Sequence, residues 1–335
     1  MLKLLKKRKW FRLRETFLVA VDCGKYNTKA IGRYKGKTYT TTFRTKMQQV
    51  SRLGVEIQPD SYHVEFYGNE YLLGDMVSED YSDFSLNKAS RIHQLAIYTA
   101  ITQLLQKAKV PTNVDIRLAV NVPITTYKDS IQKENFKQMI EKRGHTIHLM
   151  VNEKAFSVEL SNVTLAFEGM GEIYAKSEEY KNKNTIIIDL GGLNTTFCTF
   201  KGIQPLINTM VVSDLGMNVL KGKIGKAISE RYGMTVSSDD LEQVLRNGYF
   251  ASRGEIYEDS KVMIEEMKLE HLQQIIQFAK SRGYTFNMND IHFVGGGAIT
   301  LRRYIKQEFP HALIMDNPQY SNCLSFLKIL EIKNG

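Results

Sequence analysis

The stretch Asp22-Cys23-Gly24-Lys25-Tyr26-Asn27-Thr28-Lys29 decides the fold, and the apolar run Phe17 to Val21 comes directly before it. This order predicts a buried strand that enters a tight turn. A glycine in such a turn lets backbone N–H groups approach a phosphate oxygen, because it has no Cβ. The aspartate can supply an oxygen ligand to Mg²⁺, usually through bound water. Because aspartate and glycine at a strand end are more often only turn formers, one turn alone does not establish a nucleotide site.

The same order recurs in the second half of the chain. The apolar run Thr185 to Ile188 leads into Asp189-Leu190-Gly191-Gly192, and Thr195 to Phe200 has the composition of a returning strand. Two such turns that face each other can hold a triphosphate and place its metal between opposed carboxylates. In this interpretation Asp22 and Asp189 are those carboxylates, and the pair is more specific than either turn.

A third glycine-rich turn ends another predicted strand. Ile291 to Val294 leads into Gly295-Gly296-Gly297, which can lie flat beneath a nucleoside at a strand–helix junction. No G-x-G-x-x-G opens the first helix and no G-x-x-x-x-G-K-[ST] sequence occurs. The dinucleotide-binding and P-loop folds are therefore not indicated. Lys29 is a candidate partner for the phosphates.

Strands and helices alternate along the rest of the chain, which is the order of an α/β protein. Helices are predicted from apolar residues at helical spacing, and strands from β-branched and aromatic clusters. The predicted helices cover about 90–109, 128–143, 217–232, 239–247 and 260–282, with a last one from about Thr300. The predicted strands include 28–33, 37–44, 116–122, 145–151, 155–161 and 207–212.

Together, the three turns resemble the two phosphate motifs and the adenosine motif of the actin, Hsp70 and sugar-kinase superfamily. Within it, the likeness is greatest to plasmid-segregation actins of the ParM type. Three further segments are similar to that family: Asn121-Val122-Pro123-Ile124, Ser213-Asp214-Leu215-Gly216 and residues 317–322. The likeness covers about residues 16–330.

The resemblance implies an actin-like α/β fold, in which two duplicated ribonuclease-H-like domains enclose a nucleotide cleft. The expected parts are a basic N-terminal extension (1–15), domain I (16–182, with a small insert at about 34–85), domain II (183–318) and a C-terminal helix that returns to domain I (319–335).

The resemblance also implies an active site. Glu168, in a turn between the halves, is the expected water-positioning residue, and Glu172 is its reserve. A carboxylate there can orient or deprotonate the water that attacks a terminal phosphate. Asp22 and Asp189 are expected to hold Mg²⁺ through bound water. The residues expected at the nucleotide are Asp22, Gly24, Lys25, Asn27, Lys29, Asp189, Gly191, Gly192, Asn194, Asp214, Gly216, Glu242, Arg246, Gly295, Gly296 and Gly297.

Four of these residues are assigned to the nucleoside. Asp214 and Gly216 are expected to border the ribose, and Glu242 and Arg246 to flank the base. A solvated helix face explains Glu242 and Arg246 equally well.

Two positions depart from the family pattern. Lys25 stands where a hydroxyl residue often follows the glycine, and Leu193 stands where threonine often follows Gly-Gly. Phosphate contacts would then rely on backbone N–H groups, on Lys25 and on the Asn194 amide. These departures leave open whether the nucleotide is ATP or GTP.

The net charge of +9 belongs mainly to the N-terminus. Residues 1–14 hold seven basic residues and no acidic one, which leaves 38 basic and 36 acidic residues in the rest of the chain. We interpret this tail as a mobile basic extension; a contact to another subunit, to DNA phosphates or to an anionic membrane is the alternative. No run of about 18 apolar residues predicts a membrane span. The three cysteines are far apart, which is typical of a reducing compartment.

The implied function is that of a cytoplasmic ATPase that polymerises on binding ATP and drives plasmid DNA segregation. Head-to-tail contacts of this kind produce open filaments when the rotation between subunits does not close a ring. A DNA-binding adaptor is the expected partner, and direct DNA binding is unexpected outside the tail. Two other classes stay open: a small-molecule kinase of the same superfamily, and a membrane-associated cytoskeletal scaffold anchored by the tail.

Overall fold

A computed structural model describes residues 15–83, 85, 87–110, 114–315 and 317–334. Apart from Glu15, the extension predicted at residues 1–15 lies outside the described residues. Two large sheets with helices packed on them, one small antiparallel sheet of short strands and a two-stranded antiparallel sheet form the body of the described part.

The first half of the chain contains ten strands and four helices within the described residues. They are β1 (Thr16–Cys23), β2 (Asn27–Tyr34), β3 (Lys37–Arg44), β4 (Met47–Val50), β5 (Ser61–Phe66), β6 (Asn69–Gly74), α1 (Arg91–Ala108), β7 (Asp115–Val122), α2 (Ile124–Lys128), α3 (Ser130–Glu141), β8 (Ile147–Val151), β9 (Lys154–Val158), β10 (Leu160–Phe167) and α4 (Ser177–Tyr180).

The second half contains the remaining elements. They are β11 (Asn184–Leu190), β12 (Thr195–Lys201), β13 (Gln204–Pro205), β14 (Val211–Ser213), α5 (Met217–Tyr232), α6 (Ser238–Asn247), β15 (Phe250–Ser252), β16 (Glu255–Tyr257), α7 (Asp259–Ser281), β17 (Asp290–Val294), α8 (Gly296–Thr300), α9 (Arg302–Glu308), β18 (Leu313–Ile314) and α10 (Ser321–Asn334).

The first large sheet is built around β1 and has the order β10-β7-β1-β2-β3. β1 to β3 are antiparallel, whereas β7 runs parallel to β1 and β10 runs parallel to β7. Most residues of β1 are buried on both faces, as is usual for a strand inside a sheet covered on both sides. This burial explains why its sequence is a continuous apolar run.

The second large sheet repeats this arrangement around β11. Its order is β13-β12-β11-β17-β18, and β14 also pairs with β12. β11 and β12 form an antiparallel hairpin like β1 and β2, and β17 runs parallel to β11 as β7 does to β1. The duplication predicted from the two Asp-x-Gly turns is therefore present in the sheet topology.

The small sheet has the order β4-β6-β5-β8-β9 and is antiparallel throughout. Its strands come from two separate stretches, residues 47–74 and 147–158. β3 falls inside the predicted insert range of 34–85 but is the edge strand of the first large sheet. The predicted boundaries at 182/183 and 318/319 stay predictions.

The C-terminal helix α10 packs on β1, β2 and β7 of the first sheet. Its buried residues Cys323 and Phe326 belong to a core that also contains Ala20 of β1 and Ile187 of β11, so this core joins the two halves. Cys23, Cys198 and Cys323 are buried free thiols. The helices of the described part are too short or too polar to cross a membrane.

Three predicted elements differ from the structure. The strand predicted at 155–161 is two strands, β9 and β10; β10 was missed because it is stabilised by pairing with β7, more than 30 positions away. The strand predicted at 207–212 is a 3₁₀ turn, Ile207–Thr209, followed by the short β14. The helix predicted from about Thr300 is α9, which begins at Arg302, and the short α8 that precedes it from Gly296 was missed because glycine has a poor intrinsic helix propensity.

Candidate functional site

A cavity lies where the turns of the two large sheets face each other. Its volume is about 530 Å³, within the usual range for small-molecule sites. Fourteen of the sixteen residues predicted at the nucleotide line it, together with Glu168. The lining residues from that prediction are Asp22, Gly24, Lys25, Asn27, Lys29, Asp189, Gly191, Gly192, Asn194, Glu242, Arg246, Gly295, Gly296 and Gly297.

The β1–β2 turn and the β11–β12 turn have the same backbone geometry. Gly24 N–H donates to the carbonyl of Asn27 over 3.0 Å, and Gly191 N–H donates to the carbonyl of Asn194 over 2.9 Å. A Cβ on either glycine would lie 2.8 Å from that same carbonyl oxygen. Both turns therefore need glycine at this position for the chain to fold back so tightly.

Each cavity aspartate is held by an asparagine that is distant in sequence. The amide of Asn121, at the end of β7, donates to Asp22 Oδ1 over 2.8 Å. The amide of Asn322, on α10, donates to Asp189 Oδ2 over 2.8 Å. Asn121 also accepts from Cys23 N–H over 2.8 Å. Neither asparagine was predicted as a site residue, although each lies in a segment that carried the family resemblance.

The charge of Asp22 affects the protonation of Asp189. Burial and the negative charge of Asp22 raise the pKa of Asp189 to about 6. Lys29 lies 3.2 Å from Asp22 Oδ2, and although burial disfavours its charge, the attraction of Asp22 holds the pKa of Lys29 above its ordinary value. A cation placed between the two carboxylates would relieve their repulsion.

This donor set fits Mg²⁺. The ion is commonly bound by one or two carboxylates together with water and substrate phosphates. No cluster of three or more His, Cys, Asp or Glu residues suited to a metal occurs in the part of the chain that the structure describes. Asp22 and Asp189 would therefore hold the ion jointly with oxygens from a bound nucleotide.

Glu168 lines the cavity directly after β10, as predicted. Its Oε1 forms an ion pair with Lys88 and accepts from the Asn121 amide over 3.3 Å. The reserve candidate, Glu172, is buried away from the lining and accepts from the hydroxyl of Tyr180 over 3.1 Å. Of the two predicted carboxylates, only Glu168 is placed where it can act on a bound molecule.

Lys25 lines the cavity, but its ammonium already has partners. It lies 2.9 Å from Asp83 Oδ2 and donates to the carbonyl of Asn87 over 2.9 Å. Both partners belong to the segment that leads from the small sheet to α1. The expectation that Lys25 contacts phosphate requires it to leave these partners, whereas Lys29 faces the cavity beside Asp22.

The three glycines after β17 have different roles. Gly295 has φ 84°, and a Cβ there would lie 2.5 Å from Asp189 Oδ1. A Cβ on Gly297 would meet Leu190 and Met217 at 2.8 and 2.9 Å. Gly296 has open space around it on the cavity side. Gly295 and Gly297 thus let the strand end pack closely, and Gly296 leaves room for a ligand.

Tyr26 connects the two halves beside the cavity. Its hydroxyl donates to Glu242 on α6, which also accepts from Lys221 on α5 over 2.6 Å. The guanidinium of Arg44 lies 3.7 Å from the centre of the Tyr26 ring. Burial and the bond to Glu242 raise the pKa of Tyr26, which keeps the hydroxyl protonated as a donor. Tyr26 stands in the first motif but was not predicted as a site residue, because its hydrogen-bond partner Glu242 comes from the other half.

Asp214 and Gly216 are the two predicted site residues that do not line the cavity. Asp214 is exposed in the turn after β14. Gly216 is buried behind the second turn, where a Cβ would lie 2.2 to 2.5 Å from backbone atoms of Gly192, Leu193 and Asn194. Gly216 therefore supports the turn, and the structure gives neither residue a place beside a ribose.

The charge of the cavity suits an anionic ligand. Among the described lining residues, six are basic and four are acidic. The basic residues are Lys25, Lys29, Lys88, Lys221, Arg246 and Lys268. Two glycine turns, two opposed aspartates and a glutamate can together bind a phosphate chain, hold a divalent cation and orient water.

Comparison with known proteins identifies the type of fold. Residues 20–171 match the family model of the N-terminal domain of actin-like proteins. The filament structure of Alp12 is 28% identical in sequence, covers 96% of this chain and 100% of its own, and has a TM-score of 0.72. No protein with a curated description matches this chain.

Two less similar structures share the same fold. A 15-stranded ParM filament from Clostridium botulinum is 18% identical, with 95% of this chain and 99% of its own covered and a TM-score of 0.77. The ADP complex of Ta0583, an archaeal actin homologue, is 16% identical, with coverages of 94% and 99% and a TM-score of 0.73. The predicted actin-like fold is confirmed, and so is the resemblance to actin-like proteins of the ParM type.

Proposed function

We propose that this chain, which has an actin-like fold, is an ATPase that assembles into filaments on binding ATP. The observation that carries the proposal is the pair of equivalent turns, each with an aspartate held by an asparagine, that face each other across the cavity. Such a pair offers backbone N–H groups to a phosphate chain from two sides. The net positive lining favours a polyphosphate over a neutral ligand.

The residues divide the chemistry of hydrolysis among them. Asp22 and Asp189 would hold Mg²⁺, which neutralises charge on the phosphates when it is bound. Lys29 and the turn N–H groups would position the phosphates. Glu168 would accept a hydrogen bond from the water that attacks the terminal phosphorus, and so orient it. We favour ATP, and leave GTP as an alternative to be tested.

Self-assembly is proposed from the similarity to filament proteins. The Alp12 and Clostridium botulinum ParM structures are of filaments, and the first covers nearly the whole chain at 28% identity. A head-to-tail contact between identical subunits gives an open filament when its rotation does not close a ring.

Plasmid DNA segregation is the cellular role that we propose for such a filament. It would act through a DNA-binding adaptor, since most of the excess positive charge lies in the N-terminal tail. The three free cysteines suit a reducing compartment, and we place the protein in the cytoplasm.

The test is high-speed pelleting of the purified protein with ATP, ADP or no nucleotide, together with phosphate release. We expect more protein in the pellet with ATP, and loss of phosphate release in Glu168→Ala. Glu178→Ala is the matched control, because Glu178 is an exposed glutamate on α4 outside the cavity. Protein that stays soluble with every nucleotide would contradict the filament proposal, and phosphate transfer to a small molecule would favour a kinase.

A further inference from the structure

Lys88 is a buried lysine at the candidate site that no sequence motif indicated. Its side chain is only 3% exposed and lines the cavity. The ammonium donates to the carbonyl of Cys23, in the first turn, over 2.5 Å. It also forms an ion pair with Glu168 Oε1. One cation thus joins the first phosphate turn to the candidate water-positioning carboxylate.

The hydrogen bond and the ion pair of the Glu168 side chain meet on one oxygen. Oε1 accepts from the Asn121 amide and is the oxygen paired with Lys88, and the same amide holds Asp22. Neither of these two contacts is made through Oε2. The carboxylate is therefore fixed by one oxygen while the other is left to accept from a molecule in the cavity.

The charge of Lys88 is maintained at this site. Burial works against an ammonium ion, but the attractions of Glu168 and Asp22 and the hydrogen bond to Glu168 act together to hold the pKa of Lys88 above its ordinary value. A buried ion pair contributes little net stability, because desolvation offsets much of the attraction. Its geometry can nevertheless fix the orientation of a side chain.

We propose that Lys88 is a positioning residue for ATP hydrolysis: with Asn121 it holds Oε1 of Glu168, so that Oε2 receives the attacking water. This inference rests on the proposed function. Misplacing a group by about 1 Å can slow an enzyme by roughly 100-fold. Loss of Lys88 should therefore slow the chemical step and leave nucleotide binding nearly intact.

The experiment measures single-turnover phosphate release and the Kd for ATP and ADP in the full chain. In Lys88→Met we expect release to be roughly tenfold to 100-fold slower, with both Kd values within about twofold of the parent. Lys88→Arg, which keeps the charge, should recover part of the rate. Adding Lys88→Met to Glu168→Gln should cause no further loss, because the two residues act as a unit.

Lys46→Met is the matched control. Lys46 is also a buried lysine, and its partner Glu79 lies 3.2 Å away, but it is outside the cavity lining. The Lys46→Met variant should lower thermal stability without changing the rate of phosphate release relative to the Kd for nucleotide. Should Lys88→Met fail to fold, Lys88→Gln keeps a donor to the Cys23 carbonyl and is interpreted in the same way.

Three outcomes would overturn the inference. A parental rate in Lys88→Met means that Glu168 does not need Lys88. Weaker binding of ATP with unchanged binding of ADP makes Lys88 a phosphate ligand instead. If Lys88→Met binds ATP and ADP equally weakly and also has a lower thermal stability, the role of Lys88 is structural. A parent protein that neither binds nor hydrolyses ATP contradicts the proposed function itself, and this is seen before any variant is compared.

Discussion

Asn322 donates a hydrogen bond to Asp189 over 2.8 Å, although 133 positions separate the two residues in the chain. Asn322 lies on α10, which packs on the first sheet, whereas Asp189 belongs to β11 of the second sheet. The side-chain oxygen of Asn322 also accepts from Gly171 N–H over 3.1 Å. The C-terminal helix therefore helps to position one of the two cavity aspartates.

Replacing Asn322 by alanine should weaken both the fold and the site. It would leave the buried Gly171 N–H without its acceptor, which costs about 1–3 kcal/mol of the free energy of unfolding. Urea denaturation measures this loss, and titration with ADP should show weaker binding. Asn287→Ala, at an exposed asparagine, is the control. Equal stability and affinity in the two variants would contradict a positioning role for Asn322.

The sequence predicted what is local in this fold. The Asp-x-Gly turns could be identified because strand, aspartate and glycine are adjacent, and the carbonyls of Asn27 and Asn194 show that both turns extend to a shared Gly-x-x-Asn pattern. That longer pattern is visible in the sequence and would have strengthened the argument for duplication. Asp214 was assigned to the ribose from the resemblance but does not line the cavity, because similarity in sequence does not show which way a turn faces.

The partners of the site residues could not be predicted in the same way. Asn121, Asn322 and Lys88 reach the cavity only after the sheets have formed and packed. Their distances in sequence from Asp22, Asp189 and Glu168 follow no short motif. Tyr26 is a similar case, because its bond to Glu242 depends on how the two halves meet.

Replacing Asp189 by asparagine should make the nucleotide-free protein more stable at high pH. In the parent protein the pKa of Asp189 is about 6 in the folded state, against an ordinary value of 3.8. The free energy of unfolding therefore decreases as the pH rises from about 4 to 6, because the folded state disfavours the ionised carboxylate. Above pH 6 this loss of unfolding free energy is constant. It amounts to roughly 1–2 kcal/mol, because water in the cavity solvates part of the charge. Urea denaturation should give a higher free energy of unfolding for Asp189→Asn than for the parent at pH 8, and the same free energy for both at pH 4. The same difference at both values would contradict the shifted pKa.

Replacing Tyr26 by phenylalanine should speed the release of ADP. The variant removes the hydroxyl that bonds to Glu242 across the two halves and keeps the ring beneath Arg44. We expect roughly threefold to tenfold faster release, since a hydrogen bond to a charged group contributes about 1.5–3 kcal/mol and Lys221 still holds Glu242. Stopped-flow fluorescence with a labelled ADP measures the rate. Tyr34→Phe is the matched control, because the Tyr34 hydroxyl donates to Glu15 outside the cavity. This variant should release ADP at the parental rate.

Replacing Gly192 by alanine should separate the two turns. The new Cβ would lie 2.8 Å from the Cβ of Tyr26, a contact that a rotamer change cannot relieve, so the turns must move apart. Overpacking of this kind costs about 1–3 kcal/mol, and ADP should bind roughly tenfold more weakly. Gly222→Ala, in α5 with open space around it, should bind ADP normally. Combining Gly192→Ala with Tyr26→Gly removes the clashing Cβ, and recovery of affinity relative to Gly192→Ala alone would identify the contact between the turns as the cause; no recovery would contradict it.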